Sequence, residues 1–358
     1  MKIVDLKFEK LRIHLNEPIQ VAFGELDHSD NVLVCAITDE GIVGYGEAAP
    51  LPFVTGETAD TILAALAYMK PGLIGCDPFA IDDVHHRMDA LICGNRSAVC
   101  AVDLAMYDIM GKATGLPIYR ILGGGKNRIQ NDVTIGIDEP ESMVRTAKHY
   151  TDDCGYRILK IKAGRDYRQD LQAISMIRQA VGENIRLRVD ANQGYSVPIA
   201  VKMIAQLEKL NVDAIEQCLP AWDLEGSAYL RSKAHGMRIM LDESLHSPRD
   251  AAKICKLGAA DILNIKLMKC GGLYPALKIA SVADAYGLEC MVGCMFESRL
   301  AATAGLSLVA SRANITESDC DCFMYYDAEK TGITGGFTAD GDILQLVDKP
   351  GFGIDINI

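Results

Sequence analysis

The sequence lacks an apolar run that approaches the roughly 18 residues of a membrane-spanning helix, because Gly, Asp or Lys interrupts each apolar stretch. It begins MKIVDLKFEK, which contains no apolar signal segment. Positive charge is also scarce, since 36 Lys and Arg oppose 48 Asp and Glu and give a formal net charge of −12. Such a charge opposes attraction to phosphate backbones and anionic lipids. We therefore expect a cytoplasmic protein that binds neither nucleic acid nor membranes.

The twelve cysteines lack the spacing of a structural zinc site or of a small disulfide-rich domain. They are scattered along a long chain, and the closest pairs are Cys290 with Cys294 and Cys320 with Cys322. Neither pair forms a CxxC motif or has histidines beside it. We interpret the cysteines as reduced side chains that fill the core.

A chain of 358 residues with 49% hydrophobic and 23% charged residues has the composition of a globular protein. Its length allows two domains or one large α/β barrel with an appendage. The segments IVDLKFEKLRIHL, NVLVCAIT and GIVGYGEA alternate apolar and polar residues, which predicts an antiparallel meander. From Thr58 to about Leu122, apolar residues recur at helical spacing. Residues 1–125 are therefore predicted to form an α+β domain that ends at a glycine hinge or linker, 123–125.

Beyond residue 125, short apolar strands alternate with amphipathic helical stretches, and eight such strands can be counted up to residue 325. Polar residues close the second to the sixth strand at intervals of 28, 26, 26 and 24 residues: Lys162, Asp190, Glu216, Asp242 and Lys266. This regular interval predicts an eight-stranded parallel barrel whose functional groups converge at the C-terminal strand ends. A Rossmann domain is set aside because no GxGxxG follows a first strand.

Three of these residues, Asp190, Glu216 and Asp242, close consecutive strands and are therefore expected to lie side by side. Three converging anions repel one another and favour a cation, and an all-oxygen ligand set suits Mg²⁺. A single Asp at a strand end could instead cap the following helix, but this explanation is weak for three residues in register. The pattern predicts one magnesium site.

Lysines flank the three carboxylates on both sides. Lys160 and Lys162 share a face of the second strand, and Lys266 closes the sixth strand across the barrel. Because an unpaired ammonium is costly to bury, these lysines either form ion pairs with the carboxylates or act as acids and bases. Like charges and a nearby cation favour the neutral amine, so a lysine here could titrate low enough to serve as a base.

This arrangement predicts a reaction at the carbon next to a substrate carboxylate. Metal coordination lets the carboxylate take up the extra negative charge of an enediolate. One lysine would remove the α-proton, and the other would return a proton to the opposite face. The expected outcome is a 1,1-proton transfer, which is a racemisation or an epimerisation, unless a leaving group departs first.

Several motifs carry a resemblance that covers nearly the whole chain: GIVGYGEAAP at 41–50, Lys160-x-Lys162, DAN at 190–192, Glu216-Gln217, DES at 242–244 and IKLMKCGG at 265–272. On these motifs the chain resembles the muconate lactonizing subgroup of the enolase superfamily, in which a Lys base can act with Mg²⁺. The resemblance implies a modified TIM barrel, (β/α)₇β, at 126–325, with an α+β capping domain at 1–125. It further implies a C-terminal segment, 326–358, that packs back on the capping domain.

The same resemblance assigns roles to individual residues. It implies that Asp190, Glu216 and Asp242 are the magnesium ligands and that Lys162 and Lys266 are the catalytic acid/base pair. Lys160 is expected to tune Lys162 and to contribute to substrate binding. Supporting roles are expected for two further residues, Asn192 and Lys269.

The sequence after the last strand distinguishes among the reactions of the subgroup, which share the same lysines. Asp319-x-Asp321 at this place is similar to the dipeptide epimerases, where the pair holds the α-ammonium of the substrate. TGET at 55–58 also resembles that family. The structural alternative is an Asp-rich turn after a strand. We expect a dipeptide epimerase that inverts the α-carbon of the C-terminal residue.

One departure from the family limits the choice of substrate. Epimerases of the L-Ala-D/L-Glu type resemble one another in an Arg of the N-terminal loop, and the matching stretch here, VAFGE, has none. An L-Ala-D/L-Glu substrate is therefore not expected. Phe23 and Phe296 could line an apolar pocket for the substrate side chain, whereas a cationic side chain could be received by Glu25, Asp27 and Glu297.

Two alternatives to a dipeptide epimerase stay open at this point. An N-acylamino acid racemase or an o-succinylbenzoate synthase of the same subgroup would act on substrates without a free ammonium, which leaves the Asp-x-Asp pair nothing to bind. A catalytically silent barrel could bind a small carboxylate, although both lysines and all three carboxylates are retained. The expected partner is a small dipeptide, and a symmetric homo-oligomer is expected on general grounds.

Overall fold

The N-terminal part of the chain folds as the predicted meander. The computed structural model describes residues 1–21 and 24–357. Three antiparallel strands lie in the order β1-β2-β3: β1 (Ile3–Val21), β2 (Gly24–Thr38) and β3 (Val43–Ala48). Alternate residues of β1, such as Leu11 and Ile13, are buried, so one face of the sheet packs on the core.

Five helices follow this sheet: α1 (Pro52–Thr55), α2 (Ala59–Leu73), α3 (Ile81–Leu91), α4 (Arg96–Thr114) and α5 (Ile118–Ile121). The central helix is α4, whose residues from Ser97 to Gly111 are all buried. It lies so close to β3 that a Cβ atom on Gly46 would stand 1.8 Å from the carbonyl oxygen of Ala101. The close approach of the helix to the sheet therefore requires glycine at this position.

A nearly closed parallel barrel follows, preceded by a short strand, β4 (Arg128–Gln130). Its strands succeed one another around the ring in chain order: β5 (Val133–Ile135), β6 (Ile158–Lys162), β7 (Arg186–Asp190), β8 (Val212–Glu216), β9 (Arg238–Leu241), β10 (Ile262–Ile265), β11 (Glu289–Gly293) and β12 (Ile315–Asp319). The ring closes where the backbone N–H of Asp132 donates to the carbonyl oxygen of Ser318 at 3.1 Å. The predicted fold class, a TIM-like barrel with an N-terminal α+β capping domain, is confirmed.

Helices connect the strands of the barrel: α6 (Pro140–Lys148), α7 (Tyr167–Val181), α8 (Val197–Leu207), α9 (Leu224–Lys233), α10 (Pro248–Leu257), α11 (Leu267–Cys270), α12 (Leu273–Ala285) and α13 (Arg299–Val309). Side chains that accept backbone hydrogen bonds start several of them, for example Asp166 at α7 and Ser298 at α13. A π-helical turn extends α6, and two 3₁₀ turns occur at Glu208–Leu210 and Cys322–Met324. Across residues 1–21 and 24–357, no helix is long and apolar enough to cross a membrane.

The C-terminal segment contacts both parts of the molecule. It contains α14 (Ala328–Thr331), β13 (Ile333–Gly335), β14 (Phe337–Asp340), β15 (Ile343–Leu346) and β16 (Ile354–Ile356). Strand β15 pairs with β4, and the backbone N–H of Ile118, next to α4, donates to the carbonyl oxygen of Gly351 at 3.1 Å. The domain limits at residues 125 and 325 stay predictions.

Of the glycines at 123–125, which were expected to form a hinge or linker, Gly124 packs tightly. A Cβ atom on Gly124 would lie 2.6 Å from the carbonyl oxygen of Ala310, at the end of α13. Gly124 therefore serves close packing at this point, whereas a Cβ atom on Gly125 would meet no described atom within 4 Å.

Candidate active site

The three carboxylates predicted as metal ligands lie at adjacent strand ends. Asp190 and Glu216 are the last residues of β7 and β8, and Asp242 directly follows β9. These strands are neighbours in the sheet, and each of the three residues is at most 3% exposed. The structure thus brings together the set that the strand spacing predicted.

Lys160 joins two of these carboxylates from inside the barrel. Its Nζ lies 3.1 Å from Asp190 Oδ2 and 2.9 Å from Glu216 Oε2. It also donates to Asp319 Oδ2 at 2.7 Å. Burial lowers the pKa of Lys160, but the surrounding carboxylates outweigh burial and raise the pKa well above its usual value. The contacts of Lys160 are therefore those of an ion-pair partner, one of the two roles left open by the sequence.

Lys162 and Lys266 lie on opposite sides of the barrel mouth. Lys162 ends β6 and Lys266 follows β10, so the three carboxylate-bearing strands lie between them. Lys162 Nζ is 2.7 Å from Asp190 Oδ2, and Lys266 Nζ is 3.0 Å from Asp242 Oδ2. Each lysine therefore contacts one of the two outer carboxylates.

Asp242 is held by two lysines, and it raises the pKa of one of them. Burial lowers the pKa of Lys266, but the Asp242 carboxylate outweighs burial and raises the pKa above its usual value. This direction is opposite to the one expected from the sequence, which considered like charges and a cation but not a carboxylate 3.0 Å away. Lys269 is buried, forms an ion pair with Asp242 and donates to the carbonyl oxygen of Asn264 at 3.2 Å.

The lysines of the site do not fully compensate its carboxylates. Burial and the nearby Asp190 raise the pKa of Glu216, although Lys160 opposes this change. Glu243 is 6% exposed, and its Oε2 has no hydrogen-bond partner among the described residues. Burial, together with Asp242, raises the pKa of Glu243 to about 7. Buried carboxylate oxygens of this kind fit a hard divalent cation such as Mg²⁺.

Asn192 fixes the position of the Lys162 ammonium. Its Oδ1 accepts a hydrogen bond from Lys162 Nζ at 3.1 Å, and its backbone N–H donates to Asp190 Oδ1 at 3.0 Å. Its Nδ2 donates to Glu243 Oε1 at 3.2 Å. Asn192 adopts a φ of 39°, in the left-handed region that Asn tolerates better than most residues.

Gln217, for which the sequence predicted no role, joins the ends of β8 and β9. Its Oε1 accepts from the backbone N–H of Asp242 at 2.9 Å, and its Nε2 donates to Ser244 Oγ at 2.9 Å. These contacts depend on a loop conformation with a φ of 37°. Although the residue belongs to a recognised motif, the sequence carries no signal for this conformation.

Asn264 was also missed, although a signal for it exists. Its Nδ2 donates to Glu216 Oε1 at 2.6 Å. Because Asn264 precedes Lys266 by two residues on the same strand, the alternation that paired Lys160 with Lys162 could have found it. A Cβ atom on Gly293, at the end of β11, would lie 2.7 Å from Asn264 Oδ1 and 3.0 Å from Lys266 Cε. Glycine at 293 thus leaves space for both side chains.

Asp319 and Asp321 lie at the end of β12 and are 4% and 3% exposed, unlike the carboxylates of an ordinary surface turn. Asp321 Oδ2 accepts from the backbone N–H of Thr134 at 2.8 Å and from the Tyr325 hydroxyl at 3.0 Å. Burial and the nearby Asp319 raise the pKa of Asp321. Asp319 connects this pair to the ligand cluster through Lys160.

The structure describes only some of the residues that were suggested to contact the substrate side chain. Phe23 and the side chain of Glu25 lie outside the described residues. The ring centroid of Phe296 lies 6.3 Å from that of Tyr325. Glu297 is 3% exposed, and burial raises its pKa to about 8. At neutral pH the Glu297 carboxyl is therefore largely protonated.

Comparisons with known proteins agree with this geometry. Residues 4–123 match the Mandelate racemase / muconate lactonizing enzyme, N-terminal domain, and residues 142–357 match the family Enolase C-terminal domain-like. The chain is 39% identical to the hydrophobic dipeptide epimerase of Enterococcus faecalis and 37% identical to the L-Ala-D/L-Glu epimerase of Clostridium acetobutylicum, each over 99% of both chains. It is also 37% identical to the N-succinyl-L-Arg/Lys racemase of Bacillus cereus, over 100% of this chain and 96% of that one.

A solved structure of a relative contains both expected ligands. The crystal structure of the dipeptide epimerase from Enterococcus faecalis, complexed with Mg and the dipeptide L-Leu-L-Tyr, matches with a TM-score of 0.96 at 39% identity and covers 99% of this chain and 100% of that one. These relatives are isomerases, and the resemblance that the motifs indicated is confirmed. The chain belongs to the mandelate racemase / muconate lactonizing enzyme family of the enolase superfamily.

Proposed function

We propose that the protein is a Mg²⁺-dependent dipeptide epimerase that inverts the α-carbon of the C-terminal residue. The observation that carries this choice is the buried pair Asp319 and Asp321, which lies on the far side of Lys160 from the ligand cluster. Relatives with dipeptide substrates and a relative with N-succinyl amino acid substrates are about equally similar to the chain. Overall similarity therefore does not choose between them, and the groups that face the substrate amine must do so.

The ligands of Mg²⁺ in this proposal are Asp190, Glu216 and Asp242, because they supply the converging buried oxygens. When bound, the ion supplies positive charge that stabilises negative charge on the substrate carboxylate. Asn264 and Gln217 hold two of these ligands in place by hydrogen bonds to the Glu216 carboxylate and the Asp242 backbone.

Lys162 and Lys266 perform the proton transfers. The neutral amine of one lysine takes the α-proton, and the electron pair of the broken C–H bond passes into the enediolate of the substrate. The ammonium of the other lysine then donates a proton to the opposite face of the α-carbon. The net change is inversion, and the two lysines have exchanged protonation states, which solvent resets. Asn192 orients Lys162 for this step through the 3.1 Å hydrogen bond from Lys162 Nζ.

Asp319 and Asp321 bind the α-ammonium of the dipeptide. Asp321 Oδ2 is occupied by Thr134 N–H and the Tyr325 hydroxyl, whereas among the described residues Oδ1 has a weak contact with the Cys294 thiol at 3.7 Å and no other hydrogen bond. One oxygen of Asp321 is thus available for a charge-assisted hydrogen bond. An N-acylated substrate carries no charge at this position and would leave Asp321 without a cation, since Lys160 contacts Asp319.

The side chain of the epimerised residue is proposed to be neutral. Burial raises the pKa of Glu297 to about 8, so a cationic side chain would first have to drive its deprotonation, whereas a neutral side chain would not. The absence of an arginine in the sequence VAFGE argues against an acidic side chain. We therefore expect higher kcat/KM for dipeptides with an apolar C-terminal residue than for L-Ala-L-Glu, measured by polarimetry on both.

The substitution Asp321→Asn tests the recognition of the ammonium. Asn can keep its carbonyl oxygen on the Thr134 N–H, so the loop is retained while one charge is lost. Loss of a charge-assisted hydrogen bond of about 1.5–3 kcal/mol should lower kcat/KM for a free dipeptide roughly tenfold to a hundredfold. The matched control is Asp340→Asn, on the exposed end of β14, which should leave kcat/KM unchanged.

The same variants are then assayed with the N-acetylated dipeptide. We expect Asp321→Asn to leave its turnover unchanged or to improve it, and Mg²⁺ affinity to stay constant. Equal losses on the free and acetylated substrates would mean that the aspartates only hold the loop. In that case the racemase alternative would replace the dipeptide epimerase.

A further inference from the structure

Two cysteines and a glutamate meet beside the proposed ammonium site. Cys294 follows β11, Cys322 begins the 3₁₀ turn after β12, and Glu297 lies two residues before α13. Their two sulfur atoms and one carboxylate oxygen all lie within 4.8 Å of one another. The sequence places these cysteines in two different close pairs, and the adjacency of β11 and β12 brings one member of each pair together.

The spacing of these atoms is close to that of ligands around a soft metal ion. With Zn–S bonds of about 2.3 Å, two tetrahedral sulfur ligands stand roughly 3.8 Å apart, so shifts on the order of 1 Å suffice. Cys322 and Glu297 are buried while Cys294 is half-buried, which gives an ion access from one side. Asp321 Oδ1 lies 3.7 Å from Cys294 Sγ, so the group adjoins the proposed ammonium site.

The three groups are protonated when no cation is present. A hydrogen bond from Cys322 lowers the pKa of Cys294, but burial and Asp321 outweigh it and raise the pKa to about 11. The interaction with Cys294 and burial raise the pKa of Cys322 well above its usual value. A bound cation would compensate for deprotonation, and thiolates favour Zn²⁺ over Mg²⁺.

We propose that Cys294, Glu297 and Cys322 form a second metal site, which takes a soft divalent cation such as Zn²⁺. This site is separate from the carboxylate cluster, which favours hard cations. Because Asp321 adjoins it, an ion bound there competes with the substrate ammonium and inhibits the enzyme. That inhibition rests on the proposed function, whereas the binding of metal does not.

Cd²⁺ is a suitable probe, because cadmium–thiolate bonds absorb in the ultraviolet and carboxylate ligands do not. The full chain, saturated with Mg²⁺, is titrated with Cd²⁺, and the affinity for Zn²⁺ is obtained by competition. Cys294→Ser and Cys322→Ala each remove one ligand, and Cys93→Ser removes an exposed thiol outside the group as the matched control. We expect one strongly absorbing site in the wild type and the control, and at least tenfold weaker binding in each ligand variant.

The proposal would be overturned if the ligand variants that fold showed the same ultraviolet absorbance and the same affinity for Cd²⁺ as the wild type. The proposed inhibition would equally fail if excess Mg²⁺ relieved inhibition by Zn²⁺ and the cysteine variants were inhibited as strongly as the wild type. In that case Zn²⁺ would act at the carboxylate cluster. Since the titration contains no substrate, its result is independent of whether the protein epimerises dipeptides.

Discussion

The two ends of the barrel interior carry different kinds of charge pair. Toward the N-terminal strand ends the cations are arginines: Arg188 lies 2.9 Å from Asp132 Oδ2 and 2.8 Å from Glu317 Oε2, and Arg238 also contacts Glu317. Toward the C-terminal ends, among the described residues, the cations of the carboxylate cluster are Lys162, Lys266 and Lys269, together with Lys160, which pairs in register with Arg188 but whose ammonium reaches Asp190. We call these sets the arginine layer and the lysine layer.

The difference follows from the chemistry of the two cations. A guanidinium keeps its proton under physiological conditions and can bind two carboxylates in a fixed geometry. An ammonium is a point charge on a flexible stem, and it can give up its proton when its surroundings change. We infer that the arginine layer stabilises the barrel, while the lysine layer provides the groups that move protons.

The largest effect is expected in the lysine layer. Lys162→Ala and Lys266→Ala should each reduce epimerisation by roughly 10²–10⁴-fold, because each face of the α-carbon needs its own acid/base group. Each variant is expected to keep exchanging the α-proton of one epimer, which NMR in D₂O detects. If either variant epimerised at the wild-type rate, the two-base assignment would be wrong.

Next in size is the loss of a partner in the arginine layer. Arg188→Leu leaves the buried Asp132 without an ion-pair partner among the described residues, whereas Glu317 keeps Arg186 and Arg238. Breaking a buried pair in this way costs about 3–5 kcal/mol. Denaturant unfolding should show this loss as a lower free energy of unfolding. The control Arg231→Ala breaks the half-exposed pair with Asp261 and should cost about 1 kcal/mol or less. Equal changes in both variants would remove the distinction between the two layers.

A smaller effect is expected from crowding the lysine layer without removing any charge. The Cβ atom of Gly293→Ala would displace Asn264 and Lys266, and a misplacement of this size should lower kcat/KM roughly tenfold to a hundredfold. Gly125→Ala is the control, because a Cβ atom there meets no described atom within 4 Å. Wild-type kinetics in Gly293→Ala would show that Lys266 does not need its observed position.

The smallest effect, taken per pH unit, is a change in the free energy of unfolding with pH, which the arginine layer cannot produce. The pKa of Glu297 is about 8 in the folded protein, above its usual value, because burial favours the protonated form. The folded state therefore binds the proton more tightly, and stability falls as pH rises from about 4.5 to 8, by about 1.4 kcal/mol per pH unit. Glu297→Gln should lack this contribution. Between about pH 5.5 and 7.5, its free energy of unfolding should therefore rise relative to that of the wild type. Parallel stability curves would contradict the shift.

The sequence allowed the fold and the lysine layer to be predicted because both depend on a repeating interval. Strand ends at regular spacing converge in a barrel, so the sequence alone predicts that Asp190, Glu216 and Asp242 lie together. The arginine layer was not predicted, although Arg188 precedes Asp190 by two residues and therefore shares its face.

The remaining features depend on contacts between distant segments. Cys294 and Cys322 lie close together because β11 and β12 are neighbours in the sheet. The sequence alone does not indicate which residue a given thiol contacts. Gly124 was expected to belong to a hinge or linker, because consecutive glycines indicate a flexible backbone. The sequence does not show that the end of α13 packs against this residue. The direction of the Lys266 pKa shift likewise required the position of Asp242.

The central claim is that the lysine layer epimerises dipeptides with a free amino terminus. It is tested most directly by incubating a library of dipeptides and N-succinyl amino acids with the protein and Mg²⁺ in D₂O, followed by mass spectrometry and chiral chromatography. Free dipeptides should gain one deuteron at the α-carbon of the C-terminal residue, with inversion, and exhaustive chelation should stop both changes. Exchange confined to the N-succinyl amino acids, or undiminished turnover after chelation, would contradict the account.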